Sequence, residues 1–426
     1  MSALTKIASP SRAATVQKVV SKRGLEAWLV EDYAVPLVAF DFAFGGGASQ
    51  DPPQKAGAAT MLAALLDEGA GELDADAFHR ALEDKAVEIS FSADSDTLRG
   101  RLKSLVRNVE PAFDLLRLTV TAPRLDPDAI ERVRGQMIAG LKRDANDPDE
   151  LAGKAWRQSA FPGHPYGRPT RGEPTSVPNI TRDDLLAMRE KLIARGDLKI
   201  AAVGAIDAAR LATALDAVFG DLPAEPRLDL VPEVTLAGLG SRAIVDVDVP
   251  QAAIRFGLPG IAHHDPDFAA ATVVNHILGG GVFSARLFKE VREKRGLAYS
   301  VYSHLATLAH AAIFSGGTST KNERAAESLA VIEAEIDKLA SEGPTEEELD
   351  KAKKYLIGSY ALRFDTSTKI AGNLVQLQVD GFGVEYLDRR NELIAGVTLE
   401  DARRVAKRLF EGKKLMVAVA GRPQGM

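Results

Sequence analysis

The stretch Val35–Gly46, VPLVAFDFAFGG, is met again at Val249–Gly260 as VPQAAIRFGLPG. Each is an apolar run opened beside a Pro and closed by Gly, the pattern of a buried strand between turns. Two longer echoes follow in the same order. LDPDAIERVRGQMIAGLKRDANDPDELAG (125–153) returns as PTEEELDKAKKYLIGSYALRFDTSTKIAG (344–372). ITRDDLLAMREKLIARGDLKIAAVGAID (180–207) returns as VTLEDARRVAKRLFEGKKLMVAVAGRP (397–423). A spacing of roughly two hundred residues is far too long for a solenoid unit. It indicates a duplicated α+β domain, each half a mostly antiparallel sheet with helices packed on one face.

Working outward from these landmarks gives the domain limits. Residues 1–22 are small and polar and read as a lead-in, followed by a first domain over 23–219. Residues 220–242 hold three prolines and little periodicity, which suits a linker. A second domain fills 243–426. Within the first domain, helical patterns fall at Asp74–Lys85, Asn108–Leu118, Asp126–Arg143, Arg182–Leu192 and Ala208–Phe219. FPGHPYGRP (161–169) reads as a loop.

Composition removes several classes of function. The chain has 426 residues, 46% hydrophobic and 26% charged, enough for two full cores. A formal charge of -6 argues against a nucleic-acid footprint. The absence of Cys excludes disulfides, thiolate-bound zinc and thiol catalysis. No apolar run approaches the ~18–20 residues of a membrane span. The N-terminal MSALTKIASPSRAATVQ lacks the apolar centre of a signal peptide. The chain is therefore expected in the cytoplasm, or in the periplasm after loss of a leader.

Chemistry gathers in NHILGGGVFSARLFKEVREKRGLAYSVY, Asn275–Tyr302. A mixed-charge helix breaks at Gly296, and Leu297, Tyr299 and Val301 then alternate as in a strand. Arg292 and Tyr299 flank that corner, which can bring a fixed cation and a phenol to one spot. Taken alone, each has an ordinary account, as a solvated helix charge and a strand Tyr with a wet tip. The run Gly279, Gly280, Gly281 lacks the Lys-Ser/Thr pair of a phosphate loop and fits a helix C-cap.

With KAGAATMLAALLDEG (55–69), FPGHPYGRP and REKRGLAYSV (292–301) in this order, the chain resembles the M16 family of zinc metallopeptidases over nearly its whole length. That group includes pitrilysin and mitochondrial processing peptidase. The resemblance implies two homologous domains joined by a linker into a clamp around a chamber. Active members carry HxxEH on the helix after the KAG turn. Its two His at i and i+4 bind zinc from one helix face, and its Glu is the general base. The aligned residues here are Thr60, Ala63 and Ala64. The third-ligand neighbourhood, Met137–Lys142, supplies Ala139, Gly140 and Leu141, none of them a donor. Elsewhere His263 with His264, His79 with Glu83, and Asp67 with Glu68 are the remaining clusters, and each makes a poor zinc set.

Arg292 and Tyr299 match the pair that active members contribute from the second domain, where it holds substrate backbone and stabilises the tetrahedral intermediate. A guanidinium offers rigid charged donors and a phenol one further hydrogen bond. Gly279–Gly281 fall in the region of a glycine-rich substrate loop of the non-catalytic processing-peptidase subunit, a reading that stands beside simple capping. Together these imply a non-catalytic subunit of a heterodimeric bacterial M16B peptidase. It would hold no cofactor itself and act on extended or unfolded peptides, and an HxxEH-bearing paralogue would carry the zinc. Comparison with such subunits favours the periplasm. An inert scaffold of the same fold and a peptidase with relocated ligands are the alternatives.

Overall fold

The computed structural model describes residues 16–426. The first sheet is built from β1 (Gln17–Val20), β2 (Glu26–Glu31), β3 (Leu37–Gly45), β4 (Glu88–Ala93), β5 (Thr97–Leu105) and β6 (Lys199–Gly204). Their spatial order is β1-β2-β6-β3-β5-β4, with β2 and β6 the one parallel pair. The second sheet holds β7 (Arg242–Val245), β8 (Gln251–Pro259), β9 (Ala298–Leu308), β10 (Ala311–Lys321) and β11 (Met416–Ala420). Its order is β7-β11-β8-β10-β9, and β7 runs parallel to β11. The order β2-β6-β3-β5-β4 is thus repeated strand for strand, with β1 added at one edge. The sequence echo at Val35 and Val249 lands on β3 and β8, the central strands of the two sheets.

β1 lies inside the segment read from sequence as a lead-in. Four residues with one buried side chain, Val19, give too short a pattern to register as a strand. Residues 221–241 contain no helix or strand, yet they are packed down. Gln50 exchanges two hydrogen bonds with the Asp229 backbone, and Val234 N–H donates to the His310 carbonyl.

β3 shows why each sheet needs two covers. Phe40, Phe42 and Phe44 point to one face and pack with Phe113 and Phe219 beneath their own half's helices. Ala39, Asp41 and Ala43 point to the other face and are equally buried. That second face is covered by the helix Ser367–Val379 of the opposite half, through Ile370, Ala371, Leu374 and Val375 against Trp28, Val30, Ala201 and Val203. Reciprocally, the helix Pro148–Ala160 of the first half lies over β8 and β11, where Trp156 packs with Met416 and Ala418. Both helices begin within the last residues of the second sequence echo. Each half lends the same helix to its twin, and small residues on the receiving faces admit it. The result is the expected two-domain, clamp-like α+β fold, with helices of its own on one face of each sheet and a borrowed one on the other.

Candidate functional site

Arg292 lies in a wide helical turn, Phe288–Glu293, in which the Lys294 N–H reaches back five residues to the Lys289 carbonyl. Such π-type turns re-aim side chains and are frequent at functional sites. Gly296 then takes φ 58, a left-handed conformation that costs a glycine little, and the chain enters β9. Thr318 of β10 pairs with Val301 and Thr320 with Ala298, so Tyr299 and Ser300 together face Ser319. This is a β-bulge, which redirects the strand locally. The alternation of Leu297, Tyr299 and Val301 therefore does not hold: Leu297 and Val301 are buried while Tyr299 is 82% exposed.

The corner brings Arg292 and Tyr299 together, as the spacing suggested. The guanidinium carbon lies 4.6 Å from the Tyr299 ring centroid and 4.8 Å from that of Phe288. A cation held between two rings keeps its hydrogen-bond donors unspent. The nearby acid is already engaged: Glu290 accepts from Lys294 at 2.5 Å and from Arg295 at 2.6 Å, and these contacts hold its carboxyl below the usual range. Among the described residues Arg292 has no carboxylate partner and the Tyr299 hydroxyl no hydrogen bond. Arg295, three residues further on, is tied to Glu290 and is not equivalent.

Among the described residues β9 pairs on one side alone, with β10, and so presents a free edge. The glycine run packs against this strand. His276–Gly280 form a second π-type turn, and none of the three glycines adopts positive φ. Neither a left-handed cap nor an open loop describes them. A Cβ on Gly279 would sit 2.7 Å from the Ser303 backbone nitrogen and 2.4 Å from its Oγ. Close approach to β9 is what requires glycine there. Ser303 Oγ in turn donates to Asn275 Oδ1 at 2.8 Å, pinning the turn to the strand.

The positions where a zinc set would stand are filled otherwise. Asp51 opens the helix Ala58–Ala63 by accepting from the N–H groups of Gly57 at 2.7 Å and Ala59 at 2.8 Å, and burial pushes its carboxyl up to about 6. Thr60 Oγ donates to the Thr170 carbonyl at 2.7 Å, while Ala63 and Ala64 offer no donor atom. Glu68 is bound by both Arg132 nitrogens at 2.7 Å. Burial raises neighbouring Asp67 to about 6, which favours its neutral form. His263 and His264 both turn to Asp380, one at 3.6 Å from its carboxylate and the other at 2.8 Å from its carbonyl. No group of three or more His, Asp or Glu among the described residues can hold a metal ion. The donor set does not fit zinc.

Two contributors escaped the sequence reading. Phe288 completes the platform under Arg292, and its position four residues before the arginine was the available signal. The bulge that exposes Tyr299 left no sequence signal, since it depends on the register with β10.

Comparison with known proteins identifies the family and agrees with the fold. Residues 30–173 match the model of the insulinase family, peptidase family M16, and residues 179–356 match the M16 inactive domain. A "non-peptidase homolog YmxG" of Helicobacter pylori is 31% identical over 339 residues, covering 79% of this chain and 78% of that protein. An uncharacterized zinc protease of Streptomyces coelicolor is 26% identical, covering 88% and 83%. Among solved structures, an M16 inactive-domain protein of Pseudomonas fluorescens superposes with a TM-score of 0.89 at 28% identity, covering 96% of this chain and 98% of that one. A Complex III2 chain of Candida albicans shares the fold, with a TM-score of 0.80 at 17% identity over 96% of each chain. The chain belongs to the M16 peptidase family, and it lacks that family's HxxEH motif.

Proposed function

We propose that this chain is the non-catalytic, substrate-binding subunit of a two-chain bacterial M16 peptidase. The partner is a paralogue that keeps HxxEH and the zinc. The observation that carries the reading is the Arg292–Tyr299 stack: among the described residues, a cation without an acid partner and a phenol without a hydrogen bond, at a bulge in an edge strand. An extended peptide would add to such an edge through its backbone. The guanidinium and phenol would then supply hydrogen bonds to the carbonyl oxygen as it gains charge. A scaffold gains nothing from keeping these donors unspent. We place the complex in the periplasm, where unfolded peptides are available to it.

The test is hydrolysis of a quenched fluorescent peptide by this chain alone, by an HxxEH-bearing M16 protein from the same organism, and by their mixture. Activity confined to, or strongly raised in, the mixture is expected. Chelator-sensitive activity of the chain alone would refute the reading, and an inert mixture would favour the scaffold.

A further inference from the structure

Beside the free edge of β9 lies a cavity of about 330 Å³. Its wall includes His304, on the outer face of β9, together with Thr272 and Asn275 of the helix Phe268–Asn275, which packs on the inner face. One cavity can touch residues of both faces only from beyond the strand's edge. The wall also includes Tyr360, Arg363, Tyr386 and Arg390.

Arg390 is the unusual member. It is 9% exposed and has no carboxylate partner among the described residues. One of its terminal nitrogens donates to the Leu356 carbonyl at 2.7 Å and to Asn391 Oδ1 at 2.9 Å. Its other terminal nitrogen and its Nε have no acceptor among the described residues. The guanidinium carbon lies 4.4 Å from the Tyr360 ring centroid. Burial, and then the nearby charge of Arg363, lower its affinity for its proton. Arg363 also has no acid partner, and the hydroxyls of Tyr360 and Tyr386 have no hydrogen bond among the described residues. The one acid in the wall, Asp380, is engaged: it accepts from Gln376 at 2.7 Å and faces His263 at 3.6 Å. Buried charges are normally paired. Here the buried Arg390, the exposed Arg363 and two phenols border an opening, and Arg390 keeps one terminal nitrogen and its Nε unspent among the described residues.

We infer that this cavity is a carboxylate-binding subsite that receives an anionic group of an extended peptide bound along β9. Its donors suit a planar carboxylate, which a guanidinium grips through two parallel hydrogen bonds. The stacked Phe382 and Tyr386 rings, 4.0 Å apart, shelter the apolar part of the residue that bears it. Tyr299 lies five residues along β9 from His304, so the subsite is about 16 Å from the Arg292–Tyr299 stack at the usual rise of a strand. That the ligand is a peptide rests on the function proposed above; the anion chemistry rests on the cavity alone.

The carboxylate is either the peptide C-terminus or an Asp or Glu side chain, and binding distinguishes them. Fluorescence anisotropy on the intact chain would use one short peptide of Ala, Val and Thr in three forms: free acid, C-terminal amide, and amide with a single Glu. One or both carboxylate forms should bind roughly 10–100-fold tighter than the plain amide, the range of a charge-assisted hydrogen-bond pair. Tyr386→Phe and Arg363→Gln should each cut that preference severalfold. Arg390→Met should abolish it, but Arg390 also holds the Leu356 carbonyl, so the two milder variants decide. Equal binding of all three forms, or an undiminished preference in the Arg363→Gln/Tyr386→Phe double variant, would overturn the subsite. Arg292→Ala should leave the preference intact. A preserved preference beside an inert subunit mixture would therefore refute the proposed function and spare the subsite.

Discussion

Removing one oxygen atom from each of two tyrosines should separate what holds this chain together from what it does. The Tyr166 hydroxyl donates to Asp96 Oδ1 at 2.6 Å and accepts from the His310 N–H at 3.0 Å. Asp96 Oδ2 accepts from the Ala309 N–H at 3.0 Å. Asp96 sits in the turn between β4 and β5, and Ala309–His310 form the turn between β9 and β10. One phenol therefore ties a turn of the first sheet to a turn of the second. Burial raises the carboxyl of Asp96, and burial together with Asp96 raises the phenol. Tyr166→Phe keeps the ring contacts with Phe161 and His164. It loses a hydrogen bond to a carboxylate, ~1.5–3 kcal/mol, and strands the His310 N–H at a further ~1–3 kcal/mol. Asp96 and Ala309 border a cavity of about 850 Å³, so water can repair part of the loss. A net cost of about 2–3 kcal/mol is expected. It would be read as a lower urea midpoint at unchanged slope. Tyr299→Phe removes the same atom from a side chain that is 82% exposed and whose hydroxyl makes no hydrogen bond among the described residues. Its stability should stay within about 0.5 kcal/mol of the parent. Peptide hydrolysis by the assembled pair should instead fall ~10²–10³-fold. Equal midpoints for Tyr166→Phe and parent, or a Tyr299→Phe variant destabilised as much as Tyr166→Phe, would refute this division.

Three other outcomes follow from the geometry. Gly279→Ala should cost about 1–3 kcal/mol by driving a methyl into Ser303, whereas Gly135→Ala, with nothing within 4 Å in an exposed helix, should stabilise by about 0.5–1 kcal/mol; thermal melts of both variants check the contrast. Asp67 has a folded pKa of about 6, above its unfolded value, so the folded state binds the extra proton and stability falls as pH rises through about 4 to 6. Asp67→Asn should accordingly gain on the parent by about 2–3 kcal/mol between pH 4 and pH 7.5 in matched urea titrations, and a constant difference would contradict the burial argument. Equilibrium dialysis against zinc should show no stoichiometric ion. Restoring His, Glu and His at Thr60, Ala63 and Ala64 should still give no hydrolysis by the chain alone, since Ala139, Gly140 and Leu141 leave the third ligand missing.

The sheets were legible because their information is local and is stated twice. VPLVAFDFAFGG and VPQAAIRFGLPG announce β3 and β8, and the shared order of the three echoes already implied two sheets of one design. The exchange of helices was not legible. Both Pro148–Ala160 and Ser367–Val379 begin inside the second echo, but nothing local says that each covers the other half's sheet. The hint was on the receiving strands, where Ala39 and Ala43 are too apolar to face water and too small to fill a core alone. Even Asp41, which breaks the apolar run of β3, is 1% exposed and answered by Arg101 at 2.9 Å, so a buried acid marks the borrowed helix's seat.

At the candidate site, spacing located the pair but could not say why it is available. Seven residues across a glycine corner bring Arg292 and Tyr299 near each other on any backbone that turns there. Availability depends on two facts of register and competition. The register with β10 inserts the bulge that throws Tyr299 outward, while Leu297 and Val301 stay buried. Competition for Glu290 is won by Lys294 and Arg295, which leaves Arg292 to be held by rings instead of by an acid. This second point bears on function directly. An arginine fixed by a carboxylate has its charge answered and its donors filled, whereas one fixed by Phe288 and Tyr299 is positioned with both still free. Phe288 is buried, so replacing it by Leu should cost about 1 kcal/mol of stability, yet also loosen the guanidinium and lower hydrolysis by the proposed pair without altering that pair's metal content. If Phe288→Leu proved indistinguishable from the parent in turnover, the platform would be packing alone.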